Sequence, residues 1–229
     1  MKVTLSFENT SSSDVSIMVD ALRASTTITL ALNNFKRIIP CFTPEEAFKL
    51  REKCNGIIAG ERGGKMVEGC DIGNSPQAVE SYETDNNTLI LTTSNGTRIL
   101  ENMGSRVLVG CMVNAKAVGE KSTQIATSHI DVVMAGVRGK FALEDFLASG
   151  EILYWICQNL NDYEINDYAK AAILASRDYE ALKEGFYTST TGKRLTELNC
   201  KNDIECCFSR NISENVAIYE NGELRLIKD

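Results

Sequence analysis

One histidine, His129, is all that the 229 residues contain. A Ser–His–Asp or Cys–His mechanism is therefore hard to assemble. His129 precedes the apolar run 130–134 and reads as a strand-edge or surface residue, not a base. No run of lysine and arginine occurs, and the net charge is −7, so the basic face of a nucleic-acid binder is missing. No apolar run approaches the length of a membrane span, and residues 8–16 are polar, unlike a signal peptide. The expected setting is the cytoplasm. None of the eight cysteines forms a Cys-x-x-Cys pair, which argues against a zinc site. Several lie in apolar surroundings and read as reduced, buried small hydrophobes; only Cys206 and Cys207 are adjacent.

The familiar phosphate motifs are missing too. Gly139-Lys140 has Met134 where a P-loop needs glycine, and Phe141 where it needs serine or threonine. Gly-x-Gly-x-x-Gly is absent, against a dinucleotide site. No cysteine has an arginine six residues later, so the cysteine phosphatase loop is absent. Leu22 stands two residues after Asp20, where the haloacid-dehalogenase pattern needs a second aspartate.

What the chain does have is 43% hydrophobic residues, enough for one large α/β domain or two small ones. Strands are predicted at 1–7, 17–19, 37–42, 56–59, 88–91, 107–110 and 131–134. Helices alternate with them: one opens after Ser25, one at Thr43-Pro44, one at Ser75-Pro76, one after Arg98, one at Asn114 and one around Glu144-Asp145. That alternation is the signature of a largely parallel sheet. Beyond residue 150 the texture turns helical, at 151–159, 166–183, 189–200 and 203–208. A hairpin follows, with Glu220-Asn221-Gly222-Glu223 as a type I′ turn signal. The expected organisation is an α/β region at 1–150 carrying the site loops, and a mostly helical 151–229 region with a terminal hairpin, packed as one unit.

Glycine, hydroxyl and arginine residues gather at the strand exits. In Met18-Val19-Asp20-Ala21-Leu22-Arg23-Ala24-Ser25-Thr26-Thr27 an apolar strand reaches Asp20, Arg23 follows, and a helix begins. Ligands in open α/β sheets bind beyond the strands' carboxyl ends, and helix-start amides favour an anion. Asp20 could hold a metal or attack a phosphorus, and Arg23 could grip phosphate oxygens. A capped helix start with a local Asp–Arg pair is the plain alternative. Gly60-Glu61-Arg62-Gly63-Gly64-Lys65 suits a loop that wraps an anion, or an ordinary glycine-rich turn. Thr92-Thr93-Ser94-Asn95-Gly96-Thr97-Arg98 repeats the plan of strand, hydroxyl-rich turn, arginine and helix. Arg138 and Lys140 follow the strand at 131–134. This recurrence points to one shared site.

Val19-Asp20-Ala21-Leu22-Arg23-Ala24-Ser25-Thr26-Thr27 resembles an Asp-x-x-Arg-Ala-[Ser/Thr]-Thr-Thr signature, and Ala59-Gly60-Glu61-Arg62-Gly63-Gly64 a Gly-Glu-Arg-Gly segment. Asp71-Ile72-Gly73-Asn74-Ser75-Pro76, the 92–98 segment, Asn114-Ala115 and the stretch from Gly136 to Glu144-Asp145 follow in the same order. Together they resemble the 2-phosphosulfolactate phosphatase (ComB) family, clearly over about residues 15–150 and loosely beyond. Ser25 can replace a threonine, and Cys70 an aromatic; neither removes a charge.

The resemblance implies a three-layer α/β/α fold with a largely parallel or mixed sheet, and a Mg²⁺-dependent phosphoric monoester hydrolase. Its reaction converts 2-phospho-3-sulfolactate to 3-sulfolactate and phosphate, a step of coenzyme M biosynthesis in methanogens. The expected catalytic residues are Asp20, Arg23, Glu61 and Asp145. Arg62, Asn74, Ser75, Thr93, Asn95, Gly96, Thr97, Arg98, Asn114 and Arg138 are expected to bind substrate. Asp20, Glu61, Asp71 and Glu144 are the expected Mg²⁺ donors, hard oxygens of the kind that ion takes. Asp20 reads as metal ligand ahead of nucleophile, with Glu61 or Asp145 orienting water; Glu144 and Asp145 also suit a helix's first turn on charge alone. Two other readings stay open: a phosphatase of another phosphorylated hydroxy acid, and a non-catalytic small-anion-binding protein. The expected partner is a small anionic substrate, with no nucleic acid and no membrane, and a homodimer is compatible with the chain.

Overall fold

A computed structural model describes residues 1–93, 99–100 and 103–228. Its strands are β1 (Lys2–Phe7), β2 (Val15–Val19), β3 (Arg37–Cys41), β4 (Ile57–Arg62), β5 (Lys65–Met66), β6 (Thr88–Thr92), β7 (Arg106–Val109), β8 (His129–Met134), β9 (Glu164–Ile165), β10 (Ala217–Glu220) and β11 (Glu223–Leu226). The described helices are α1 (Ala24–Ala31), α2 (Pro44–Cys54), α3 (Pro76–Glu80), α4 (Ala115–Ile125), α5 (Leu143–Gln158), α6 (Asp167–Ser176), α7 (Tyr179–Thr188), α8 (Thr190–Glu197) and α9 (Lys201–Phe208).

The strands form one ladder in the order β5-β4-β6-β3-β11-β10-β7-β2-β8-β1-β9. β4, β6 and β3 are mutually parallel. So are β7, β2, β8, β1 and β9. The C-terminal hairpin joins the two blocks, antiparallel to β7 through β10 and to β3 through β11. Three antiparallel steps make the blocks run in opposite senses. Strands twist by about 20–25° per neighbour, so the seven steps from β4 to β8 turn the strand direction by roughly 140–175°. That rotation brings the carboxyl ends of both blocks towards one side.

The sheet curves around α1, all eight of whose residues are buried. Ile28 and Ala31 share a core with Met18 of β2, Ile38 of β3, Ala59 of β4, Leu91 of β6, Val109 of β7 and Leu224 of β11. The opposite faces carry other cores. Val3, Ile17, Val19 and Val132 pack beneath Val118, Ile152, Leu182 and Ile204 of the later helices, while Cys41, Ile58 and Ile90 pack with Ala47 of α2. The result is a three-layer α/β/α fold with a mixed sheet.

Local signals explain most boundaries. Thr43 Oγ1 accepts from Glu46 N at 3.1 Å and Pro44 opens α2. Asn221 and Gly222 both take positive φ, as a type I′ turn requires. Three boundaries differ from the sequence reading. β4 runs on through Arg62, so the Gly60–Lys65 stretch is a β-hairpin, not a wrapping loop. The helix expected over 166–183 breaks in two, because Asp178 caps a new start by accepting from Glu180 N and Ala181 N. α5 passes without interruption through residue 150. No described helix is long and apolar enough to cross a membrane.

Candidate active site

The turn between β2 and α1 closes on itself. Asp20 N donates to Ser25 Oγ at 2.8 Å, and Ser25 N donates back to Asp20 O at 2.9 Å. The side chain of Asp20 is left at the helix start, where Ala24 N–H donates to it. It is 7% exposed. Burial, then the neighbouring charges of Glu61 and Glu144, push its carboxyl up to about 7 against the pull of the Ala24 amide and Arg23. Asp145 lies behind it. Its Oδ1 accepts from Ala21 N at 2.8 Å and its Oδ2 from Gly136 N at 2.9 Å. Burial first, and then Asp20 and Glu144, raise its carboxyl well above the usual range.

Arg23 reaches the hairpin between β4 and β5. Its Nη2 donates to Gly64 O at 3.0 Å, and Glu61 Oε2 accepts from Gly64 N at 2.6 Å. Arg23 Nη1 donates to Asp203 of α9. Gly63 takes positive φ, and a Cβ there would strike the Arg194 guanidinium, whose Nε donates to Gly63 O at 2.6 Å. The turn after β8 is just as tight. Val137 and Lys140 exchange backbone bonds at 2.8 and 3.0 Å, with Gly136, Arg138 and Gly139 all at positive φ.

These pieces enclose a cavity of about 300 Å³. Asp20, Arg23, Glu61, Asn74 and Thr93 line it and are buried, forming its floor, and Arg138 and Lys140 line it and are exposed, at its rim. Thr190, Thr191 and Arg194 of α8 complete it. Asn74 and Thr93 are each 4% exposed. Among the described residues, neither Asn74 Oδ1 nor Thr93 Oγ1 has a hydrogen-bond partner. Buried polar atoms are seldom left so, and a bound ligand would satisfy both.

Of the residues singled out in the sequence, Asp20, Arg23, Glu61, Asn74, Thr93 and Arg138 line this one cavity. Asp145, expected among the catalytic residues, lies outside the cavity lining, and each of its oxygens accepts a backbone amide. Glu144 is buried beside Asp20 without lining the cavity. Ser75 caps α3 and donates to Asp203 Oδ1 at 2.6 Å. Arg62 is placed elsewhere: its Nη2 donates to Phe42 O at 2.6 Å and Thr92 Oγ1 at 2.8 Å. Asp71 pairs with Arg51 and accepts from Ile58 N at 2.8 Å, away from the cavity. Asn114 is fully buried and spends its amide on Cys111 N, Val109 O and Asn215 O. Asn95, Gly96, Thr97 and Arg98 lie outside the described residues. Sequence reasoning missed Thr190, Thr191, Arg194 and Asp203. The signal was present in Ser189-Thr190-Thr191-Gly192-Lys193-Arg194, a hydroxyl- and cation-rich helix start of the same texture as Arg23 to Thr27.

Among the described residues, no three Asp, Glu, His or Cys side chains form a ready-made metal cage. Mg²⁺ seldom uses one; it takes one or two carboxylates, waters and substrate phosphate. Asp20 and Glu61 fit that pattern, as buried oxygen donors whose repulsion a cation would relieve. Asp71 does not.

A family model described as 2-phosphosulpholactate phosphatase matches residues 3–222. A protein of Methanothermobacter thermautotrophicus named 2-phosphosulfolactate phosphatase is 44% identical over 229 residues, covering 100% of this chain and 97% of that one. Proteins named probable 2-phosphosulfolactate phosphatase in Clostridium acetobutylicum and Caldanaerobacter subterraneus subsp. tengcongensis are 35% and 34% identical, over 91% and 93% of this chain and 90% of each. With the family model matched almost end to end, the chain belongs to the 2-phosphosulpholactate phosphatase family.

Proposed function

We propose that the protein is a Mg²⁺-dependent phosphatase that hydrolyses 2-phospho-3-sulfolactate to 3-sulfolactate and inorganic phosphate. One observation carries the reading: buried Asp20 and Glu61 meet the Arg23 guanidinium on the floor of a cavity rimmed by Arg138, Lys140 and Arg194. The substrate bears phosphate, carboxylate and sulfonate on three adjacent carbons, so it needs several cations converging on one small space. About 300 Å³ suits a molecule of that size.

Arg23 presents N–H groups to the phosphoryl oxygens and offsets the charge that grows there as the ester bond breaks. Arg138, Lys140 and Arg194 receive the carboxylate and sulfonate. Asn74 and Thr93 satisfy their orphaned atoms on substrate hydroxyl or oxyanion groups. Asp20 and Glu61 would hold Mg²⁺, which when bound supplies positive charge at the phosphate and lowers the pKa of a bound water. Glu61, which lines the cavity where Asp145 does not, orients the attacking water. That water adds to phosphorus as the bond to the ester oxygen breaks, and a proton from the water ends on the departing oxygen, which becomes the hydroxyl of sulfolactate. We place the reaction in the cytoplasm, and in coenzyme M biosynthesis where the host makes that cofactor.

Phosphate release from a panel of phosphorylated hydroxy acids, with Mg²⁺ and with a chelator, tests this. Turnover is expected on 2-phosphosulfolactate and to depend on Mg²⁺. Preference for another phospho-acid would move the assignment to that substrate. Binding without turnover on any compound would make the protein an anion-binding module.

A further inference from the structure

The guanidinium on the cavity floor is held from behind by a residue outside the cavity. Arg23 Nη1 donates to Asp203 Oδ2. Asp203 Oδ1 accepts from Ser75 Oγ at 2.6 Å, and Arg23 Nη2 donates to Gly64 O at 3.0 Å. Asp203 sits on α9, 180 residues further along the chain. It is buried and does not line the active cavity. It borders a second cavity of about 360 Å³, which Arg23 also lines. Each of its oxygens faces one donor, so the carboxylate is fixed in turn by the cap residue of α3.

Two consequences follow from that geometry. A planar fork anchored on both terminal nitrogens cannot rotate freely, so Arg23 is held at a set angle to the cavity it lines. A buried carboxylate against the guanidinium also takes up part of its charge before any anion arrives. Ground-state phosphate is then bound less tightly than by an unopposed arginine, while the orientation needed in the transition state is kept.

We propose that Asp203, braced by Ser75, is a positioning residue that aims Arg23 at the transferred phosphoryl group and tempers its affinity for phosphate. The proposal rests on the reading that Arg23 meets the phosphoryl oxygens. An ion pair serving only to tether α9 would change stability alone; a positioning role changes the kinetic pattern.

The test uses the full chain with Mg²⁺ and 2-phosphosulfolactate, with folding of each variant checked by circular dichroism. Asp203→Asn is expected to lower kcat roughly 10- to 100-fold, the scale of a small misplacement near the reacting group. Its KM stays level or falls, and inhibition by inorganic phosphate becomes severalfold tighter. Ser75→Ala shifts both quantities in the same direction by less, and Ser75→Thr, which keeps the hydroxyl, restores them. If Asp203→Asn does not fold, the Ser75 pair alone decides. Wild-type kcat in folded Asp203→Asn, identical kinetics for Ser75→Ala and Ser75→Thr, or weaker phosphate inhibition overturns the proposal. Arg23→Lys separates the two failures. If it loses turnover while Asp203→Asn does not, only the positioning claim falls; if it keeps full turnover, the reading of Arg23 falls as well.

Discussion

Asp145 holds two backbone amides from outside the cavity lining. By accepting from Ala21 N and Gly136 N it ties the exit of β2 to the exit of β8. Asparagine at this position offers one acceptor and turns an NH₂ towards the other amide. Asp145→Asn should therefore destabilise the fold by about 1–3 kcal/mol, the cost of a buried unsatisfied donor, read as a lower urea midpoint with unchanged slope. The residue types at the site were legible in the sequence, but their directions were not. Glu61 and Arg62 show why. Read as loop, both suit an anion; as the last residues of β4 they point to opposite faces. Glu61 then enters the cavity, and Arg62 turns to the carbonyl of Phe42. Asn114 was visible as a helix opener, yet its amide is consumed by three backbone groups of the 109–115 turn and of residue 215.

Among the elements, the turn after β8 sets where Arg138 and Lys140 stand. A Cβ at Gly136 would strike the Phe7 ring and lie 2.5 Å from Lys140 O, and its φ of +64° is already in the left-handed region. Gly136→Ala should cost about 1–3 kcal/mol of stability. It should also raise KM more than it lowers kcat, because the rim moves and the floor does not; steady-state kinetics beside thermal unfolding separate the two. Elements with a local chemical cause were readable: the Thr43 cap, the Ser75-Pro76 start and the Asn221-Gly222 turn each need only neighbours along the chain. The continuation of β4 was not readable, because it depends on Lys65 and Met66 folding back to pair with it. The same limit hid the place of α8 at the cavity, which its threonines meet only once the helices pack.

For the whole molecule, the sequence showed alternating strands and helices but not the reversal between the two parallel blocks. That reversal comes from β10 and β11, inserted between strands some 110 and 180 residues distant, and no local signal encodes it. Leu224 of β11 is fully buried in the core around α1. Leu224→Ala should cost about 2–5 kcal/mol, with both blocks losing protection from hydrogen exchange together; loss confined to one block would contradict a shared sheet. The buried carboxylates also make global stability depend on pH. Burial and the charges of Glu61 and Glu144 raise the Asp20 carboxyl from 3.8 to about 7, so the folded protein binds that proton more tightly than the unfolded chain. Its contribution is complete below about pH 4 and is lost as pH rises through about 7. Without divalent cation, the unfolding temperature should fall between about pH 4 and pH 7, and less steeply in Asp20→Asn. Phosphoester hydrolysis should depend on Asp20, on the floor of the cavity. Phosphate release from 2-phosphosulfolactate by the wild type and by folded Asp20→Asn, in saturating Mg²⁺, measures it directly. Turnover should fall at least about 100-fold in the variant; turnover equal to the wild type would mean that hydrolysis does not need the Asp20 carboxylate.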